Sequence, residues 1–171
     1  LSANRMKPSL IRIYADESTY NLHIIIRYKL EKALMEDRIT VEELPEAWAQ
    51  YYEEIVGVRP PNYSQGVLQD IHWSLGLFGY FPSYTLGNLY ASSFRFAIEE
   101  AHPDCWKQVR TGEFGVILSW LRENIHSKGN IQSQEEIVFD AVGERNHVSD
   151  LIKHLKQRQE VVKNLKSPVK D

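Results

Sequence analysis

Between Gly66 and Ser93 the chain runs "GVLQDIHWSLGLFGYFPSYTLGNLYASS", 28 residues with one formal charge, Asp70. Four of the nine glycines lie there (Gly66, Gly76, Gly79, Gly87), with six large aromatics: Trp73, Phe78, Tyr80, Phe81, Tyr84 and Tyr90. The chain as a whole is 25% charged, so the stretch is not an ordinary solvated loop. Its aromatics seek a core or a ligand, and its glycines hinge the backbone. On a helical turn Gln69 and His72 share a face at i, i+3, and Trp73 lies beside Gln69 at i, i+4. One reading makes Gln69, Asp70 and His72 a buried polar cluster capping a turn, with the aromatics as core. The other notes that buried phenols need partners, so Tyr80 and Tyr84 around a proline suggest donors aimed at a ligand.

Helical periodicity dominates on both sides. Asp16 reads as a cap for "ESTYNLHIIIRYKLEKALMED", in which Leu22, Ile26, Leu30 and Ala33/Leu34 form an apolar face. His23, Arg27 and Glu31 read as a polar stripe opposite it. "SLIRIYA" before it reads as a short strand or an extended lead-in. Thr40 and Glu43 make a capping box for a helix through "PEAWAQYYEEIVG". "VRPPNYSQG" is a loop, and "LGNLYASSFRFAIEEAH" a helix leaving the glycine-rich stretch. Pro103 opens a helix to about Arg110. "GEFGVILSWLRENIHSKG" is an amphipathic helix closed by Gly129. Ser133 caps and Gly143 stops a short helix, "HVSDLIKHLKQRQEVVKNL" is the last, and residues 166–171 form a frayed tail. The expectation is an all-α body, residues 1–171, as one helical region.

Several function classes recede. Net charge is -3 with no basic block, which argues against nucleic acid. The longest apolar run is too short to span a membrane. A single cysteine, Cys105, excludes an internal disulfide framework and suits a reducing cytosol. None of the six histidines forms an HExxH zinc helix, and the His102/Cys105 pair is too small a ligand set for a metal. A nucleophile elbow and a phosphate-cradling loop are both absent. Arg12, in an otherwise apolar segment, reads either as an ion pair with Asp16 or another acid, or as a fork for a carboxylate.

"IRIYAD" at Ile11–Asp16 and "GVLQDIHW" at Gly66–Trp73 resemble the IRxxAD and GxxQDxHW motifs of the thermostable (Taq-type) metallocarboxypeptidases, metallopeptidase family thirty-two. "LPEAW", "FGYFPSYTLGNLYA" and "SWLRENIHSKG" are similar in order and spacing. The resemblance implies an all-α, zincin-like, cytoplasmic and dimeric enzyme that removes single residues from peptide C-termini with zinc or cobalt. It implies that the HExxH helix, its general base and the third metal ligand lie upstream of IRxxAD. This chain then resembles the C-terminal third of such an enzyme, in keeping with its Met-less start, and binds no metal through ligands of its own. It implies that His72 and a tyrosine, Tyr84 before Tyr80, face the metal from the opposite wall of the groove, the tyrosine as the phenol donor to the developing oxyanion. Gln69 and Asp70 would position His72, Asp70 fixing its tautomer. Trp73 would line the substrate site and Arg12 would bind the terminal carboxylate. By itself the chain is expected to be inactive, with apolar surface left for the missing N-terminal part. The competing expectation is a non-catalytic helical interaction module derived from the same fold.

Overall fold

A computed structural model describes residues 6–166, with side chains of the last helix described as far as 163. Among the described residues the structure is helical, with no strand. The elements are α1 (Tyr20–Met35), α2 (Leu44–Ile55), α3 (Pro82–Ala101), α4 (Cys105–Arg110), α5 (Gly115–Asn124), α6 (Gln134–Val142) and α7 (His147–Lys166), with short 3-10 turns at Arg12–Tyr14, Trp73–Leu75 and His126–Lys128. They form two compact units. One comprises the residues up to Leu86 and those from Arg158 onward, and the other is Gly87–Gln157. The tail expected over 166–171 falls, beyond Lys166, outside the described residues.

The first unit is built on α1 and α2. Asp16 Oδ1 accepts from the Ser18 and Thr19 amides at 2.9 and 3.1 Å and turns the chain into α1. "SLIRIYA" forms no strand: Arg12–Tyr14 is a 3-10 turn, flanked by extended backbone at Ile11 and Ala15. Thr40 and Glu43 make the expected reciprocal pair, Thr40 N to Glu43 Oε2 at 2.8 Å and Glu43 N to Thr40 Oγ1 at 3.3 Å. Ile26 and Leu30 of α1 pack with Leu44, Trp48, Tyr52 and Val56 around α2. Each such side chain contributes roughly 2 kcal/mol of burial. Trp48 stacks on Tyr52 at 5.3 Å, one turn along, and takes Trp73 edge-on at 6.1 Å.

The polar stripe of α1 is where the sequence reading is corrected. His23 and Arg27 are wholly buried and Glu31 nearly so, whereas Ile25 and Tyr28 are exposed. The helix buries two adjoining rows, one apolar and one polar. The polar row finds its partners in the stretch that begins at Gly66.

In the second unit Ile98, Cys105 and Trp120 form the core, with Phe94, Ile117 and Leu121 packed against it. Pro103 precedes α4 rather than opening it, because α4 starts at Cys105 after Asp104. The expected capping box of α6 is present, Ser133 with Glu136, and Gly143 ends that helix at φ +71°. Gly129, at φ +56°, closes the 3-10 turn that follows α5.

Candidate functional site

The first unit holds the site. Residues 66–81 form turns around the 3-10 helix Trp73–Leu75 and lead directly into α3 at Pro82. Gly76 ends the 3-10 helix in the left-handed region, φ +74°, a conformation that any side chain would strain. Pro82 suits the first turn of α3, which sets Tyr84 one residue pair beyond it.

His72 and Tyr84 meet there, His72 Nε2 lying 3.0 Å from Tyr84 Oη. The imidazole is buried and packs on the rings of Phe81 at 4.5 Å and Tyr80 at 5.6 Å. Tyr80 also meets Tyr84 edge to face at 5.5 Å and is 46% exposed. Burial lowers the proton affinity of His72; Asp70 and Glu31 oppose this while Arg12 and Arg27 add to it. The ring is therefore neutral near pH 7. Its Nδ1 is buried with no hydrogen-bond partner.

Behind this pair lies a cluster tied by charge. Asp70 Oδ1 accepts from Arg12 Nε at 3.0 Å and Nη2 at 2.7 Å. Asp70 Oδ2 accepts from Arg27 Nε at 2.7 Å and meets Arg27 Nη2 at 2.5 Å. Arg27 Nη1 donates to His23 O at 2.8 Å and Tyr52 Oη at 3.0 Å, and Nη2 to Gln69 Oε1 at 2.8 Å. Gln69 Oε1 also accepts the Arg12 amide at 2.9 Å, while its Nε2 donates to the carbonyls of Leu10 and Gly66, each at 3.1 Å. Burial alone would raise the Asp70 carboxyl, but the two guanidinium groups overcome it and hold it below the usual carboxylate range. The motif residues at 11–16 and 66–73, far apart in sequence, are thus one hydrogen-bonded body, with Arg27 of α1 as its hub.

Each expected site residue has a definite place. His72, Tyr84 and Tyr80 come together. Gln69, Asp70 and Arg12 join in the cluster behind them. Trp73 turns toward Trp48 and Phe78, the latter stacked at 6.4 Å, and its Nε1 is buried without a partner. The expectation that Asp70 fixes the His72 tautomer is corrected: both its oxygens are occupied by Arg12 and Arg27, and neither reaches His72. Arg12 turns its fork inward onto Asp70, with Nη1 on Tyr20 Oη at 3.1 Å, which is the ion-pair alternative with Asp70 as the acid. Its guanidinium carbon stands 5.0 Å from the Tyr84 ring centroid.

Arg27, Glu31, His23 and Tyr52 were not recognised from the sequence as site neighbours. A signal was available. A lone carboxylate in a 28-residue stretch without Lys or Arg needs cations from elsewhere, and Arg27 follows three isoleucines, Ile24–Ile26. Glu31 Oε1 accepts from the Gly79 amide, pinning the turn that carries Tyr80. Among the described residues no group of three or more His, Cys, Asp or Glu side chains could hold a metal ion, so these residues do not fit one. No helix among them is long and apolar enough to cross a membrane.

In the second unit Ser93, His147 and Asp150 also converge, Ser93 Oγ lying 2.7 Å from His147 Nδ1 and 2.8 Å from Asp150 Oδ2. Their order is wrong for nucleophilic catalysis. The hydroxyl rather than the imidazole is central, and Ser93 is fully buried. The trio fastens α3 to α7.

A family model described as Carboxypeptidase Taq (M32) metallopeptidase matches residues 1–159. Carboxypeptidase 1 of Bacillus subtilis (strain 168) is 44% identical over 155 residues, covering 91% of this chain and 31% of the relative. Thermostable carboxypeptidase 1 of Thermus thermophilus is 43% identical, covering 92% and 31%. Among solved structures, the M32 carboxypeptidase from Deinococcus radiodurans R1 superposes with a TM-score of 0.87 at 35% identity, over 93% of this chain and 32% of that one. Metallocarboxypeptidase 1 of Trypanosoma cruzi does so with a TM-score of 0.86 at 36% identity, over 92% and 33%. The chain spans about a third of the length of the curated relatives it matches.

Proposed function

The chain belongs to the carboxypeptidase Taq (M32) metallopeptidase family, and from that premise we propose that it forms one wall of the substrate groove in an enzyme that removes single residues from peptide C-termini. The observation that carries the reading is the His72–Tyr84 contact at 3.0 Å, with the half-exposed Tyr80 ring beside it. Peptide hydrolysis builds negative charge on the scissile carbonyl oxygen, and fixed donors aimed at that oxygen lower the barrier. Tyr84 presents its hydroxyl to the oxyanion while its oxygen accepts from His72 Nε2–H. Tyr80 lines the same wall.

The remaining residues keep this pair in place. Gln69 and Asp70 anchor the turn before His72, and Arg12 and Arg27 anchor Asp70. Arg12 is a positioning residue in this reading, its fork spent on Asp70 and its charge standing over the Tyr84 ring. Trp73 supports the wall from the core side. Leu68, Ile71, Leu75 and Phe78 are exposed along the same stretch; they pack against the part of the protein that the relatives carry and this chain does not span. That part supplies the metal, zinc or cobalt, and its ligands. The enzyme works in the cytoplasm as a dimer, and this chain alone is inactive.

The test is hydrolysis of an N-blocked dipeptide by the full-length enzyme carrying Tyr84→Phe or His72→Ala. Removing one oxyanion donor costs roughly 10²–10³ in kcat, with KM little changed. Wild-type turnover in both variants would overturn the assignment.

A further inference from the structure

In the second unit Ser93 Oγ stands 2.7 Å from His147 Nδ1 and 2.8 Å from Asp150 Oδ2. A hydroxyl has one hydrogen to give, and a carboxylate can only accept. The Ser93 hydrogen therefore goes to Asp150, and Ser93 Oγ accepts from His147 Nδ1–H. Ser93 is wholly buried on α3, which seals the bridge from water. Arg145 Nη1, 3.6 Å from Asp150 Oδ2, keeps that oxygen in a cationic field. Asp150 and Ser93 thus hold the neutral imidazole in one tautomer, with its lone pair on Nε2. The two ring nitrogens point away from each other. With Nδ1 turned inward to Ser93, Nε2 turns outward, and it has no hydrogen-bond partner among the described residues.

Beside the ring lies a cavity of about 330 Å³, the size of a small ligand pocket. His147 lines it together with Tyr90 of α3, Glu135 and Phe139 of α6, and Glu144. Glu135 and Glu144 are exposed, and neither is paired among the described residues. Arg145 also lines the cavity but is committed elsewhere: Nε donates to Val142 O at 3.3 Å, Nη2 meets Glu100, and Nη1 faces Asp150. The Tyr90 ring meets the imidazole edge to face at 5.2 Å and, with the exposed Phe139, supplies an aromatic wall. The free acceptors do not gather at one point, since among the described residues no three His, Cys, Asp or Glu side chains could hold a metal ion. Acceptors spread around an aromatic-walled cavity suit an organic cation, whose N–H groups diverge and whose alkyl body takes the rings.

We propose that this cavity binds an alkylammonium ion, with His147 Nε2 as its fixed acceptor and Glu135 and Glu144 as its counter-charges. Ser93 and Asp150 are positioning residues. Without them the ring is free to take the Nε2–H tautomer, which sets a donor against a donor.

The experiment is nitrogen NMR of 15N-histidine-labelled full-length protein, with the His147 signals assigned by His147→Gln, titrated with n-butylammonium chloride. Sodium chloride at equal ionic strength and n-butanol are the controls. In the wild type the neutral form of His147 should be protonated at Nδ1, and n-butylammonium should shift the Nε2 signal saturably where neither control does. Glu135→Gln and Glu144→Gln, both on the surface, should each weaken binding about two- to fivefold. Ser93→Ala should remove the tautomer preference and weaken binding with it. A wild-type neutral form protonated at Nε2 would overturn the inference without recourse to a variant. So would a shift that sodium chloride or n-butanol reproduces, or a titration midpoint unchanged in both glutamine variants. Hydrolysis enters none of these readouts, so they stand or fall apart from the peptidase reading.

Discussion

Replacing Asp70 by Asn is the sharpest test of how the site is held. The carboxylate lies between two buried guanidinium groups, those of Arg12 and Arg27, with 9% of its side chain exposed. Each oxygen faces two guanidinium nitrogens, at 2.5–3.0 Å. In Asp70→Asn one oxygen becomes an NH2 group that turns its hydrogens toward guanidinium hydrogens. One cation then loses its hydrogen bonds and both lose the opposing charge. Breaking a buried pair from one side costs about 3–5 kcal/mol. With a urea slope of about 2 kcal/mol per molar, the unfolding midpoint should fall by roughly 2 M. Trp48, packed against Arg27 and meeting Trp73 edge-on, supplies the fluorescence signal. The pH dependence gives a second check. Asp70 is held below its ordinary 3.8 in the folded state, so its stabilisation is complete above the unfolded carboxylate range and lost as pH falls through the lowered value. The gap between wild type and variant should be constant at neutral pH and close only in acid. A midpoint shift under about 0.3 M, or a gap that closes in the histidine range, would refute the account of Asp70 as the keystone of the cluster.

His23 gives a pH slope in a different window. Burial first, and then the charges of Arg27 and Arg12, lower it from 6.5 to about 4. The unfolded chain therefore binds a proton that the folded one refuses, and stability present above about pH 6.5 is lost on the way down to pH 4, by roughly 3 kcal/mol. Urea midpoints across that range should show the slope, and His23→Gln should flatten it. Two glycine substitutions should act in opposite directions. A Cβ on Gly66 would stand 3.0 Å from the Asn62 carbonyl oxygen and 3.4 Å from Pro60 Cβ, whereas one on Gly87, inside α3, meets nothing within 4 Å. Thermal melts should show Gly66→Ala destabilised, by about 1–3 kcal/mol, and Gly87→Ala stabilised, by about 0.5–1 kcal/mol. Ser133→Ala, which removes the capping box of α6, should cost about 1 kcal/mol in the same assay.

Helix existence was legible from local patterns because its causes are local. Ser133 with Glu136 and the glycines at 129 and 143 act within a few residues, and each performs the capping or stopping role its type predicts. The motifs at 11–16 and 66–73 were legible as a pair through their resemblance to a known family, whereas the contact of His72 with Tyr84 was not. The partnerships within the cluster were not. Nothing in the spacing of α1 says whether His23, Arg27 and Glu31 face water or a second buried row, since both arrangements satisfy a 3.6-residue period. That choice belongs to the tertiary structure: the turns at 66–81 carry an uncompensated Asp70, and only the row containing Arg27 can meet it. Nor could local sequence tell which carboxylate serves which cation. Asp70 lies two residues from His72 along the chain but spends both oxygens on Arg12 and Arg27, 58 and 43 residues away. Along the chain, residue types and their periods determine where helices form. Across it, the need of each buried charge for an opposite one decides which residues make the site.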